Sequence, residues 1–469
     1  MEALRDELNA IFLTPAFEHA LWGVKIQSME TGQVLYELNP SKLMMPASNM
    51  KLVTMAAAVT RLGWDHRFET VLATNGVVEN GVLHGDLFVR GGGDPTIGND
   101  EDSPTATFDS WAHRLASEGI TAIDGRIIGD DDAFDDEPFG AAWEWTDIPF
   151  RSAAPISALQ FNQGVVTLTI RPGERVGAPV TIDLTPDGSL LTIVNRATTS
   201  VPDERASIGL ARLPTQPELV VSGSLPLDAE PSHRTAAVVN PTAFFVRAFR
   251  NALLREGIDV GGRAVDIDDL KHDREGSVLD PSTRREFIRF TSGTLAEVGT
   301  ELMKVSQNLY AETFLKALGM ELKGSGTADA GREVVAEVLA SWGIPATGYM
   351  IFDGSGLSRR NYLTAETLLK ILRAMYRAET FDQFLATLPI AGVDGTLERR
   401  MQATRAAGNV RAKTGTISNS RALSGFVTTR DGEVLGFSIL ANHFHLPGQT
   451  VLDQIDLAAE RLANFSRER

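Results

Sequence analysis

A helix, a hairpin and a second helix fill the first ~65 residues, and that is too little chain to close an αβ core of its own. Leu4, Leu8, Ile11 and Phe12 recur at helical spacing within residues 2–22. Residues 22–29 and 33–38 read as two strands around the turn Glu30-Thr31-Gly32. Pro46 then opens a helix whose body is Ala56-Ala57-Ala58-Val59. The complementary pieces lie at the other end of the chain. From about residue 280 helices dominate; Leu302, Val305 and Leu309 form one apolar stripe and Tyr310, Phe314 and Leu318 a second, which places residues 297–319 on a long core helix. Residues 422–429 and 433–440 flank Arg430-Asp431-Gly432 as a hairpin, and a last helix runs from about Val451 to Ala463. Between the two ends the texture is different. Short strands with glycine-rich turns begin near residue 68, and residues 165–235 alternate apolar and polar in the manner of a small all-β module. A helix over 241–254 follows and ends before Gly257. The two ends therefore complete one αβ unit, and the β-rich middle is an insertion.

Composition narrows the chemistry. A net charge of −17 argues against nucleic acid as a partner, because phosphate binding needs a basic surface. The 43% hydrophobic and 22% charged content is that of a soluble globular protein, and no run approaches the ~18 apolar residues of a membrane span. Cysteine is absent, which excludes disulfides, zinc thiolate sites and a cysteine nucleophile. Met1–Glu7 is acidic in character, unlike a secretory signal, so the chain is either intracellular or a mature form whose leader has been removed. Gly91-Gly92-Gly93 lacks the register of a phosphate cradle and reads as a tight loop. The acidic run from Gly129 to Glu137 does not match a calcium loop and is expected at the surface. His443 and His445 lie two apart with no third ligand, so no metal site is expected there.

Three triplets carry the reactive chemistry. Ser48-Asn49-Met50-Lys51 sets a hydroxyl and an amine on one helix face, near the positive end of that helix. A lone serine needs a base within hydrogen-bond reach, and lysine serves only when burial or a neighbouring cation lowers its pKa. By itself the pair is equally a helix cap and a solvated lysine. It gains meaning from Ser306-Gln307-Asn308 and Lys413-Thr414-Gly415, since each pattern occurs once and in that order. Serine β-lactamases and penicillin-binding proteins share this trio, with Asp where Gln307 stands here. In acyl transfer Ser48 would attack while Lys51, held neutral by the cationic Lys413, takes its proton. Ser306 would relay that proton to the departing amine, and Asn308 would hold a substrate amide. Lys413 and Thr414 offer a charge and a hydroxyl to a terminal carboxylate, and Gly415 leaves room for a substrate backbone. The backbone N–H groups of Ser48 and Thr416 would form the oxyanion hole. No Gly-x-Ser-x-Gly elbow offers a different nucleophile.

With these triplets, and with Gly92-Gly93-Asp94-Pro95, Trp143-Glu144-Trp145, Asp353-Gly354-Ser355-Gly356-Leu357-Ser358-Arg359 and Gly392-Val393-Asp394-Gly395-Thr396-Leu397, the chain resembles the class C penicillin-binding proteins. These are D-alanyl-D-alanine carboxypeptidase/endopeptidases of the DacB type. The resemblance implies an α/β (α+β) transpeptidase domain of the penicillin-binding-protein/β-lactamase kind with two nested β-rich insertions. Residues 1–67 and 277–469 would form the catalytic domain, 68–164 and 236–276 the first insertion, and 165–235 the second. It further implies peptidoglycan stem peptides as substrate, an acyl-enzyme at Ser48, covalent capture by β-lactams, no cofactor, and a location outside the cytoplasmic membrane. A side pocket for the zwitterionic end of diaminopimelate would use Asp147 and Arg359. A class A β-lactamase and a catalytically silent wall-binding module are the competing accounts. The first is usually much smaller, and retention of all three triplets argues against the second.

Overall fold

The computed structural model describes residues 1–100, 103–214, 216–272 and 281–467, which form two compact units. The first comprises Met1–His66, Gly140–Trp143 and Thr294–Arg469. Its centre is a five-stranded antiparallel sheet in the order Val34–Leu38, Leu21–Ser28, Val434–Asn442, Ser420–Thr428, Arg411–Ile417. The two ends of the chain thus meet in one sheet and complete one αβ unit. Helices cover both faces, so the central strand Val434–Asn442 is buried along nearly its whole length and carries few polar residues. Leu4, Leu8 and Phe12 of the first helix and Val451, Ile455 and Leu462 of the last join Val24, Ile26, Phe437 and Ile439 in a single core. Each large apolar side chain so buried contributes about 1.5–3 kcal/mol. Helix Met50–Arg61 is buried from Met50 to Val59 and packs against helices Asn308–Lys323, Ala328–Ser341 and Ala365–Tyr376.

The expected long helix over 297–319 is two helices, Leu295–Lys304 and Asn308–Lys323. The break falls on the second triplet: Ser306 takes φ +64°, which no helix accommodates, and Val305, expected in the apolar stripe, is 53% exposed. Gln307 caps the second helix, its Oε1 accepting the N–H of Leu309 at 3.2 Å.

The second unit comprises Arg67–Phe139 and Glu144–Gly293. A five-stranded sheet runs Ala264–Asp266, Ile127–Asp130, Leu87–Gly91, Glu69–Thr74, Arg285–Thr291, and a four-stranded sheet Asp259–Val260, Ala122–Ile123, Val82–His84, Val77–Glu79. Helices Ala106–Ser117 and Pro241–Arg255 share an aromatic core of Phe108, Trp111, Phe161, Phe244, Phe245 and Phe249. Among the described residues, the strands between 165 and 237 pair with one another. The expected boundary at 276/277 lies outside the described residues.

Two loops behave differently. The triple glycine is close-packed, since a Cβ on Gly91 would lie 2.2 Å from the Ala158 carbonyl oxygen. The acidic run is not wholly at the surface: Ile127–Asp130 is an interior strand, Asp130 is buried against Arg284, and Asp131 accepts hydrogen bonds from Ser157 and Thr242. Buried carboxylates persist because each finds such a partner. No helix among the described residues is long and apolar enough to cross a membrane.

Candidate active site

The turn before helix Met50–Arg61 presents the serine. Ala47–Asn49 form a single 3₁₀ turn, and Ala47 holds φ +46°, a left-handed conformation that costs an alanine about 1–3 kcal/mol. Neighbouring backbone packs closely around this turn. A Cβ on Gly356 would lie 1.8 Å from the Ala47 carbonyl oxygen, and one on Gly415 would lie 2.7 Å from that of Pro46. The two glycines let the 353–358 loop and the third-triplet strand close on the turn from either side. Gly415 therefore makes room for the backbone of Pro46, just ahead of the serine. Asn49 ties the same turn to that strand, its Nδ2 donating to the Lys413 carbonyl at 2.9 Å.

Lys51 is wholly buried, and its Nζ lies 3.0 Å from Ser48 Oγ, 2.7 Å from Asn308 Oδ1 and 2.8 Å from the Ser355 carbonyl oxygen. Lys413 is equally buried, with Nζ 2.9 Å from Ser306 Oγ and 3.2 Å from the Thr414 carbonyl oxygen. The left-handed backbone at Ser306 belongs to this arrangement, and the interrupted helix starts at Asn308 beside Lys51. All five residues expected to carry the chemistry are thus joined in two hydrogen-bonded groups, one around each amine.

Burial lowers the Lys51 pKa to about 7, against the upward pull of Asp353 and then Glu312. Lys413 is held well below the ordinary lysine range, by burial first and by Lys51 second. The expectation that the charge of Lys413 neutralises Lys51 is therefore revised: desolvation is the main cause for both amines. Glu312 is pushed up to about 7 by burial and by Asp353, although hydrogen bonds to its carboxylate work the other way.

Glu312 and Asp353, to which the sequence reading gave no role, support the site. The Glu312 carboxylate accepts the N–H groups of Gly354 at 2.9 Å and Ser355 at 2.8 Å. Asp353 accepts from the N–H of Gly356 at 2.8 Å and of Ser358 at 2.6 Å, from Asn361 Nδ2 at 2.6 Å and from the Trp143 indole at 2.9 Å. Together they fix the loop that aims the Ser355 carbonyl at Lys51. A signal was available: a glutamate inside Tyr310-Ala311-Glu312-Thr313-Phe314 interrupts a core-facing run, and a buried carboxylate demands partners.

The third triplet lies on the edge strand of the sheet, where an added peptide strand has backbone groups to pair with. Thr414 Oγ1 donates to Thr396 Oγ1 at 2.8 Å. The turn bearing Thr396 is anchored by Asp394, which pairs with Lys304 at 2.6 Å and accepts the Ile390 N–H at 2.8 Å. Thr416 is exposed toward the strand's end. Arg359 Nη1 donates to the Ser418 carbonyl at 3.4 Å, just beyond that strand. Asp147 belongs to the second unit, where its N–H donates to the Glu144 carbonyl at 2.9 Å.

A serine hydroxyl on a strained turn, a buried low-pKa amine beside it and a second buried amine on the edge strand are the groups that serine acyl transfer requires. The chain belongs to the D-Ala-D-Ala carboxypeptidase 3 (S13) family, whose sequence profile matches residues 4–462. It is 35% identical over 474 residues to a D-alanyl-D-alanine carboxypeptidase of Actinomadura sp. (strain R39), covering 99% of this chain and 85% of that protein. The structure aligns with penicillin binding protein 4 (dacB) of Haemophilus influenzae at a TM-score of 0.84 and 25% identity, over 98% of this chain and 99% of the other. A structure of that protein complexed with a novel β-lactam aligns at a TM-score of 0.79 and 23% identity, over the same shares. The resemblance drawn from the triplets holds over the whole chain, as does the fold class, and this is a serine-type D-Ala-D-Ala carboxypeptidase.

Proposed function

We propose that Ser48 is the nucleophile of a carboxypeptidase and endopeptidase acting on peptidoglycan stem peptides. The observation that carries this is the 3.0 Å contact between Ser48 Oγ and the amine of a fully buried lysine whose pKa falls to about 7. Neutral Lys51 takes the hydroxyl proton as Ser48 Oγ bonds to the carbonyl carbon of the penultimate D-alanine. The N–H groups of Ser48 and Thr416 receive the oxyanion. Ser306 passes a proton to the departing amine, the C–N bond breaks, and water later hydrolyses the ester at Ser48. Release of terminal D-alanine is the carboxypeptidase reaction. When the amine belongs to a neighbouring stem peptide, the same steps open a cross-link. A β-lactam presents an amide whose leaving amine stays tethered, so its acyl-enzyme accumulates at Ser48.

The terminal carboxylate docks on Lys413 and Thr414. Its charge would raise the depressed Lys413, and the resulting cation would drive Lys51 further toward the neutral form. Binding a substrate with a free carboxylate thereby readies the base. Lys413→Ala is accordingly expected to lower kcat/KM for a free-carboxylate pentapeptide by about 10²-fold, and much less for its C-terminal amide. Equal losses on both would contradict this role. Arg359 is retained as the residue that meets the carboxylate of a zwitterionic side chain at position three. Wall peptides lie outside the cytoplasmic membrane, which places the enzyme there. The strand pairing within 165–237 supports the nested division into two insertions.

Acylation requires neutral Lys51, so its rate should rise as pH is raised through about 7. Glu312→Gln removes a carboxylate that pulls Lys51 upward, and the rising limb for β-lactam acylation should move to lower pH. A limb that stays in place or moves up would contradict the role given to Glu312. The function as a whole is tested with muropeptides bearing pentapeptides and cross-links, following D-alanine and released monomers in parallel. Absence of both products would defeat it.

A further inference from the structure

The second unit contains a cleft that the chemistry at Ser48 does not use. It has a volume of about 730 Å³ and lies between the Gly188–Leu190 turn of the all-β module, helix Pro241–Arg255 and the stretch from Gly261 to Asp269. Junctions between modules are where ligand sites tend to form, and this volume falls in the range of such sites.

Three guanidinium groups line it: Arg247, Arg250 and Arg263. Arg247 and Arg250 stand three apart on one helix face. Arg250 is held by its neighbours' backbone, with Nη2 3.0 Å from the Val260 carbonyl oxygen and Nε 3.3 Å from that of Gly262. Among the described residues, the exposed side chains of Arg247 and Arg263 have no hydrogen-bond or ionic partner. Asp269 is the single carboxylate in the lining, and Asn251 adds a neutral amide. On a chain of net charge −17, this gathers like charge in one concavity, which concentrates anions there. The planar forks of arginine match carboxylates in paired hydrogen bonds. Asp269 disfavours a uniformly anionic polymer and suits a peptide that carries amines as well as carboxylates.

We propose that this cleft binds a carboxylate-bearing stretch of peptidoglycan peptide, a second hold on the polymer whose peptide ends are processed at Ser48. The proposal rests on the wall-peptide reading given above. It is tested with the full chain and the double variant Arg247→Glu/Arg263→Glu, leaving Arg250 to its structural bonds. Retention on purified peptidoglycan and kcat/KM on that polymer should each fall by about tenfold, as expected for two lost charge contacts. Turnover of a short soluble acyl-D-Ala-D-Ala peptide should stay within about twofold of the parent. Peptidoglycan with its free carboxylates amidated should hold the parent enzyme as weakly as it holds the variant, and Arg247→Gln/Arg263→Gln should give a smaller shift in the same direction. Undiminished retention of the charge-reversed variant, or parent binding that survives amidation, would overturn the assignment. Failure of the parent to turn over the short peptide would instead strike at Ser48, which keeps the two readings separable.

Discussion

Ser48→Ala is expected to lower D-alanine release by about 10⁴-fold or more and to abolish β-lactam labelling, because it removes the hydroxyl 3.0 Å from the Lys51 amine on which the acyl chain would form. The side chain is small and only partly buried, so the fold should be indifferent to losing one oxygen. The turn should keep its shape, since the close packing of Gly356 and Gly415 on Ala47 and Pro46 does not involve the hydroxyl. The loss is therefore chemical, and it is checked by comparing turnover with thermal unfolding of the same preparation. Residual labelling near the parent level would mean that the nucleophile lies elsewhere.

Loss of the amine at Lys51 should cost nearly as much. A general base alone contributes up to about 10⁴-fold, and this amine also orders three groups: Ser48 Oγ, Asn308 Oδ1 and the Ser355 carbonyl. Lys51→Met keeps most of the buried volume while removing the proton acceptor, and Lys51→Ala adds a cavity. Both should acylate with a β-lactam at least about 10³-fold more slowly than the parent, with the methionine variant the more stable. If Lys51→Met acylated within about tenfold of the parent, another group would have to be the base.

Much of this architecture was legible because it rests on local rules. Helical spacing alone brings Ser48 and Lys51 together, and Arg430-Asp431-Gly432 announces the hairpin that aligns the strand of Lys413. An incomplete front segment pointed to one αβ unit built from both ends of the chain. What escaped was tertiary in origin. The apolar stripe through Leu302, Val305 and Leu309 conceals the break at Ser306, because φ +64° there is imposed by surroundings that periodicity does not record. That the bare α-carbon of Gly415 also packs against Pro46 and Ala47 was not legible, because strand and turn are hundreds of residues apart. The proton balance could not be read either. Whether Lys413 neutralises Lys51 or burial does depends on depth within the fold and on Asp353 and Glu312, which approach from other elements.

The central claim is that an ester forms on Ser48. Intact-mass measurement after incubation with benzylpenicillin, followed by peptide mapping, tests it most directly. The account predicts a gain of one β-lactam molecule per chain, carried on the peptide containing Ser48 and absent from Ser48→Ala. An unmodified chain, or an adduct on any other residue, would contradict it.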